Sequence, residues 1–186
     1  MKAFRTLVQA FLVLALAAGT AFAQDKAKKQ AEIRDSAKTA LERFFKADPK
    51  LKDAVAKSPG YAVFTTYGLS FLIGGAGGSG LVHDNKSKKD TFMNMAQASA
   101  GVQLGASETQ ILIVFKNQKA MQNFIDKGWE VGAGGGASAG TGSKSVGGGA
   151  GENVIADASF HTITKTGLEA GGAVAGTKFW KDKALN

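Results

Sequence analysis

The chain has 186 residues, no cysteine, two prolines and 25 glycines, and its 23 Lys and Arg outweigh 15 Asp and Glu by a formal +8. Without thiols there is no disulfide framework, no thiolate metal cage and no lipidated N-terminal cysteine. The basic excess favours an anionic partner: a lipid headgroup, a polyanionic glycan or nucleic acid.

The first residues read as an export signal. Lys2 and Arg5 precede an apolar run, Leu7 to Ala18, and Ala21-Phe22-Ala23 forms a small-x-small cleavage site. The run is about a dozen residues, against the roughly 20 that a helix needs to cross a bilayer. Cleavage after Ala23 leaves one domain, residues 24–186, periplasmic or secreted and large enough to bury a core unaided. It keeps 21 basic and all 15 acidic residues, a formal +6. Outside the cytoplasm, lipid or envelope polymer is the more accessible anion, and no nucleic-acid partner is expected.

Residues 24–58 read as helical. In Asp25–Lys46 the residues Ile33, Ala37, Ala40, Leu41 and Phe44 form an apolar stripe, widened by Phe45. Asp48-Pro49 starts a second short helix, which runs to Lys57 and stops at Ser58-Pro59-Gly60.

Residues 59–186 read as strand-rich. Tyr61–Tyr67, Leu69–Ile73, Gly80–His83, Thr91–Met95, Ala98–Leu104 and Thr109–Phe115 are short strand-like runs separated by turn residues, with a polar hairpin tip over His83–Asp90. One helix interrupts them, capped by Asn117, apolar at Met121, Phe124 and Ile125, and ended by Gly128. Strands resume at Trp129–Ala139, Ser145–Gly151, Val154–Phe160 and Glu169–Ala175. The glycine-rich stretch 132–151 is expected to form an ordered hairpin with a turn at Thr141–Lys144, packed closely or leaving a slot for an acyl chain. The fold class is α+β: N-terminal helices packed on a curled or closed antiparallel sheet, with one further helix.

Motifs for catalysis fail on context. Gly75-Ala76-Gly77-Gly78-Ser79-Gly80 fits G-x-G-x-x-G, yet Leu81-Val82-His83 follows where a phosphate-binding helix is needed. Gly136-Ala137-Ser138-Ala139-Gly140 fits G-x-S-x-G without the strand and helix of a nucleophile elbow, and only His83 and His161 are available as bases. Glu108, Glu130, Glu152, Asp157 and Glu169 are scattered singly. The sequence therefore implies no enzyme, no cofactor and no metal site.

The positive signals are basic. Lys26, Lys28, Lys29, Arg34, Lys38, Arg43 and Lys46 lie on the first helix, interleaved with acids, and Lys86, Lys88 and Lys89 crowd the hairpin tip. Such a helix lies in a membrane interface with its stripe down, or packs that stripe on the sheet with its charges solvated. The pattern alone favours packing. Lys178, Lys181 and Lys183 flank Phe179-Trp180, a composition shared by interfacial anchors and by a docked C-terminus.

The ordered residues resemble a family. Gly60-Tyr61-Ala62-Val63-Phe64, Gly74-Gly75 and Gly77-Gly78-Ser79-Gly80-Leu81-Val82 are similar to the opening of the SYLF domain. The likeness continues through Gly101-x-Gln103-x-Gly105, Ile111–Phe115, the helix Gln118–Asp126, the glycine-rich hairpin and Lys165-x-Gly167-Leu168…Gly171. Glu169 stands where members tend to have an aromatic residue, and Thr166 interrupts a usually contiguous Lys-Gly. SYLF proteins are lipid-binding modules; eukaryotic members bind phosphoinositides, some fungal ones bind actin, and bacterial members are often exported. The resemblance implies lipid binding in which Asp25–Lys46 takes part, and it tips that helix toward the membrane. Actin is not an expected partner of an exported chain. The resulting expectation is a non-enzymatic protein that meets anionic phospholipid surfaces through the ten basic residues just named. The alternative is an envelope interaction protein with a protein or glycan partner.

Overall fold

The computed structural model describes residues 2–70, 74–99, 105–131, 137–139, 157–164, 167–170 and 177–186, with backbone alone for 2–23 and for several strand ends. The first helix, α1, spans Lys2–Ala47. The apolar run and the basic segment thus share one helix, where the sequence reading started the helix at Asp25. Helix α2 spans Lys50–Lys57, and the Asp48 carboxylate accepts a hydrogen bond from the Lys50 N–H at 3.0 Å. The Ser58 hydroxyl closes α2 by donating to the Val55 carbonyl at 2.8 Å.

Among the described residues nine strands follow: β1 (Gly60–Ser70), β2 (Gly74–Asp84), β3 (Asp90–Ser99), β4 (Gly105–Phe115), β5 (Trp129–Val131), β6 (Ala137–Ala139), β7 (Ala158–Thr164), β8 (Gly167–Ala170) and β9 (Thr177–Lys181). Helix α3, Gln118–Lys127, lies between β4 and β5, capped by Asn117 and Gly128 as the sequence indicates. Gly128 has φ +66°, a left-handed backbone that suits glycine. The strands form one antiparallel sheet in the order β6-β5-β9-β3-β2-β1-β4-β7-β8.

Several boundaries differ from the sequence reading. The runs expected at Tyr61–Tyr67 and Leu69–Ile73 begin as one strand through Gly68, and Thr91–Met95 continues unbroken to Ser99. Long strands are sustained here because each has a partner on both sides, which outweighs the weak local propensity of glycine. Trp129–Ala139 is not one strand. Its two ends pair antiparallel with each other, Trp129 opposite Ala139 and Val131 opposite Ala137, and residues 132–136 lie outside the described residues. Of the run expected at Val154–Phe160, Ala158–Phe160 lie in β7, which continues to Thr164, and of Glu169–Ala175, Glu169 and Ala170 lie in β8; residues 154–156 and 171–175 lie outside the described residues. The strand expected at Ser145–Gly151 and its turn at Thr141–Lys144 lie outside the described residues. Strand β9 was not foreseen; it inserts between β3 and β5.

Alternation along the strands divides the buried side chains into two clusters. Ala62 and Phe64 face α3, together with Met95, Ile113, Phe115, Trp129, Phe160 and Phe179. Val63 faces the opposite way, toward α1 and α2, with Leu81, Phe92, Leu112 and Val114. Phe124 of α3 is the hub of the first cluster, with ring centroids 4.7 Å from Trp129, 5.4 Å from Phe179 and 5.5 Å from Phe115. Trp129 on β5 also lies 6.2 Å from Phe160 on β7. In a flat sheet of this order those strands would be six spacings, roughly 29 Å, apart. The sheet is therefore curled around α3.

Close packing explains Gly78 and Gly80 of β2 but not Gly77. A Cβ at Gly80 would collide with the Phe64 ring and the Val63 carbonyl, whereas one at Gly77 would meet no atom within 4 Å. Gly80→Ala is expected to lower stability by about 1–3 kcal/mol through overpacking. Gly77→Ala is expected to be neutral or slightly stabilising, and urea denaturation of the two variants checks the contrast.

Candidate functional site

The apolar stripe of α1 is occupied. Ala37, Ala40 and Phe44 are buried, and Ile33, Leu41 and Phe45 are partly buried, against Val63, Leu81, Phe92 and Leu112 of the sheet. With this face covered, the helix presents its charged side to solvent. Among the described residues no helix is long and apolar enough to cross a membrane.

The ten basic residues divide by their surroundings. Lys26 Nζ donates to the Asn186 carbonyl at 3.0 Å, and nearby Gln30 Nε2 donates to the Leu185 carbonyl at 2.7 Å. These bonds tie α1 to the chain end. Arg34 Nε pairs with Asp90 Oδ2 at 2.7 Å, and its guanidinium lies 4.9 Å from the centre of the Phe92 ring. Arg43 Nη1 pairs with Glu108 Oε1 at 3.3 Å. Lys28, Lys29, Lys38 and Lys46 are exposed and have no hydrogen-bond or ion-pair partner among the described residues. The same holds for the side chains of Lys86, Lys88 and Lys89.

The hairpin tip that carries those three lysines is rigidly built. Asp84 Oδ1 accepts from the backbone N–H groups of Lys86 and Ser87, both at 2.8 Å, and Gln118 Nε2 donates to Asp84 Oδ2 at 3.2 Å. The Ser87 amide is the main reason that this carboxyl titrates below its usual range, with Gln118 and the Lys86 amide adding to it. Asn85 Nδ2 donates to the carbonyls of Val55 and Ser58, at 2.8 and 2.9 Å, which docks the tip on the end of α2. Lys88 adopts a left-handed φ of +58°. With the Asp84 charge committed to the backbone, the tip presents three lysines within four residues.

The sequence reading missed the group that clamps α1. Asp90 at the start of β3 accepts from Arg34 and also bonds His83 Nδ1 at 2.7 Å, and the His83 ring lies 5.3 Å from that of Tyr61. Burial pushes the Asp90 carboxyl up, but hydrogen bonds from His83 and Arg34 outweigh it and hold the pKa below the ordinary value. Burial and then the Asp90 charge raise the Tyr61 hydroxyl. No local pattern signals this cluster, because Arg34 and Asp90 are 56 residues apart.

Other candidates fall apart or change role. Phe179 is buried in the aromatic cluster while its neighbour Trp180 is 39% exposed, so β9 both docks the C-terminus and shows an aromatic at the surface. Lys178 pairs with Glu130 at 3.5 Å. Ser138 lies on β6, four strands along the sheet from His83 on β2. Half-burial lowers the pKa of His161, partly countered by the Asp48 charge, and His161 Nε2 lies 3.3 Å from the Ser159 hydroxyl. Residues 75–80 lie within strand β2, with no helix directly after them. Among the described residues no three His, Asp or Glu side chains are grouped as a metal site.

The clamp has a pH signature. A depressed carboxylate pKa contributes stability above its unfolded value, about 3.9, and that contribution is lost as pH falls through the folded value. Asp90→Asn is expected to cost about 1 kcal/mol at pH 7, because Arg34 is partly solvated, and to weaken the acid dependence below pH 4. Thermal melts of both proteins from pH 3 to 7 test this.

Residues 96–186 match the family model described as "Ysc84: Las17-binding protein actin regulator". Beta cell expansion factor A of Aeromonas veronii is 30% identical over 162 residues, which cover 86% of this chain and 60% of that protein. The chain thus spans about three fifths of that relative's length. The matched residues include β9 and the chain end that fastens α1, so the likeness extends over the strands that complete the sheet. The chain is thus similar to the Ysc84/SYLF family over residues 96–186 and is a distant homologue of the Aeromonas factor.

Proposed function

We propose that this chain is an exported, non-enzymatic protein that attaches peripherally to anionic membrane surfaces. The observation that carries the reading is a set of seven exposed lysines without partners among the described residues, Lys28, Lys29, Lys38 and Lys46 on α1 and Lys86, Lys88 and Lys89 at the hairpin tip. Because the stripe of α1 is packed on the sheet, the helix approaches lipid by its charged side instead of inserting an apolar face. Lys26, Arg34 and Arg43 serve the fold first, through their bonds to Asn186, Asp90 and Glu108.

The tip is the stronger contact. On α1 the exposed lysines alternate with Glu32, Asp35 and Glu42, whereas the tip is a compact basic cluster whose neighbouring acid is already hydrogen-bonded. Each basic residue close to an anionic surface contributes about 1 kcal/mol, and the attraction fades within a Debye length. Attachment of this kind is reversible and sensitive to salt.

Co-sedimentation of the purified protein with vesicles of increasing anionic lipid content, at low and high salt, tests the reading. Replacement of Lys86, Lys88 and Lys89 by Glu is expected to weaken binding about 100-fold or more, since three contributions of about 1 kcal/mol are lost. Replacement of Lys28, Lys38 and Lys46 by Glu is expected to weaken it less, with the melting temperature unchanged. Absence of binding by the native protein to any vesicle overturns the proposal.

A further inference from the structure

Beside α1, on the sheet face that the helix only partly covers, lies an open groove of about 380 Å³. It is lined by Glu32 and Ser36 of α1, Thr65 and Tyr67 of β1, and Gly77 and Ser79 of β2. Past Glu32 and Ser79 it continues into a second section of about 380 Å³ that reaches Asn94 and Asp182. The strand register accounts for the grouping. Tyr67 is opposite Gly77, Thr65 opposite Ser79, and Ser79 opposite Asn94, which places these side chains on one face.

Three properties define what the groove suits. First, Tyr67 is 67% exposed, the most exposed large apolar residue among those described, and the open space above Gly77 leaves one side of it free. Second, the side chains of Glu32, Ser36, Thr65 and Ser79 have no hydrogen-bond partner among the described residues. Third, among the described residues the section beside Tyr67 holds one charged group, Glu32, while Lys29 and Asp182 line the second section. An anionic headgroup therefore meets the like charge of Glu32 there, and an acyl chain meets the hydroxyls of Ser36, Thr65 and Ser79 beside one aliphatic side chain, Ile33. An extended peptide finds no free strand edge, because β1 and β2 are each paired on both sides.

We infer that this groove is a binding site for a neutral oligosaccharide. A sugar ring has an apolar C–H face and a rim of hydroxyls. The negative face of the Tyr67 ring attracts the C–H face. The Glu32 carboxylate accepts hydrogen bonds from sugar hydroxyls, and Ser36, Thr65 and Ser79 both donate and accept. The elongated shape, running from Tyr67 toward Asn94, accommodates several sugar units in a row. Lys29, one of the lysines assigned to lipid, lines the second section, whereas Tyr67 and Glu32 lie outside the lipid set, so variants at those two positions test this reading apart from the other.

Calorimetric and saturation-transfer titrations of the full chain with chitotriose, maltotriose and cellotriose, each to millimolar concentration, test the inference. At least one trisaccharide is expected to bind. Tyr67→Ala is expected to weaken that binding about 10-fold, with Tyr67→Phe retaining it, and Glu32→Gln is expected to weaken it as well. Both positions are exposed, so unchanged melting temperatures show that the variants are folded. The inference is overturned if none of the three sugars binds, or if Tyr67→Ala binds as well as the native protein. It is also overturned if Tyr67→Ala loses vesicle binding while no sugar binds, because Tyr67 then belongs to a membrane contact.

Discussion

The structure depends on the packing of Phe124. A ten-residue helix supplies this ring, and it meets aromatics from β1, β4, β5 and β9 at once. Strands that far apart in the sheet order reach one helix only if the sheet bends around it. The curl then concentrates Phe115, Phe160, Phe179 and Trp129 on the concave side and turns the opposite, convex side toward α1. Everything that bears on function is arranged on that convex side or at the end of the β2–β3 hairpin.

On the convex side, α1 solves one problem and creates another. Its stripe covers Val63, Leu81, Phe92 and Leu112, which would otherwise be exposed to water, and the same stripe is then unavailable to lipid. Polar contacts at both ends of the contact hold this arrangement: Lys26 and Gln30 on the chain end, Arg34 on Asp90, Arg43 on Glu108. A basic amphipathic helix does not by itself announce a membrane anchor, because the sheet competes for the apolar face. What is left over is charge, and charge acts at a surface without insertion. The helix also leaves part of the sheet bare, since a single rod cannot cover a curved face, and the Tyr67 groove occupies that remainder.

The local elements were legible because they rest on short-range rules. Asn117 and Gly128 delimit α3 through hydrogen bonds within four residues of each cap. The alternation of Tyr61, Val63 and Thr65 with Ala62, Phe64 and Thr66 marks β1 as a strand with both faces in use. The reading failed where pairing decided the outcome. Trp129–Ala139 looked like one strand until its two ends found each other, and Thr177–Lys181 looked like a tail until it was placed between β3 and β5. Of the ten basic residues nominated, the lysines at the hairpin tip kept the exposed position that their turn sequence implies, while Lys26, Arg34 and Arg43 acquired partners.

The sequence by itself determined a strand-rich α+β domain, a basic balance, the absence of thiol chemistry and the family likeness. Each of these follows from composition or from patterns a few residues long. Tertiary structure alone decided which face of α1 is buried, which basic groups remain free, and that Glu32, Ser36, Tyr67 and Ser79 surround one groove. The physical reason is separation along the chain. The bonds that make these choices join residues 56 positions apart, as for Arg34 and Asp90, or 160 apart, as for Lys26 and Asn186. No short-range preference encodes such contacts, and they form only when the curled sheet brings the two ends of the domain together.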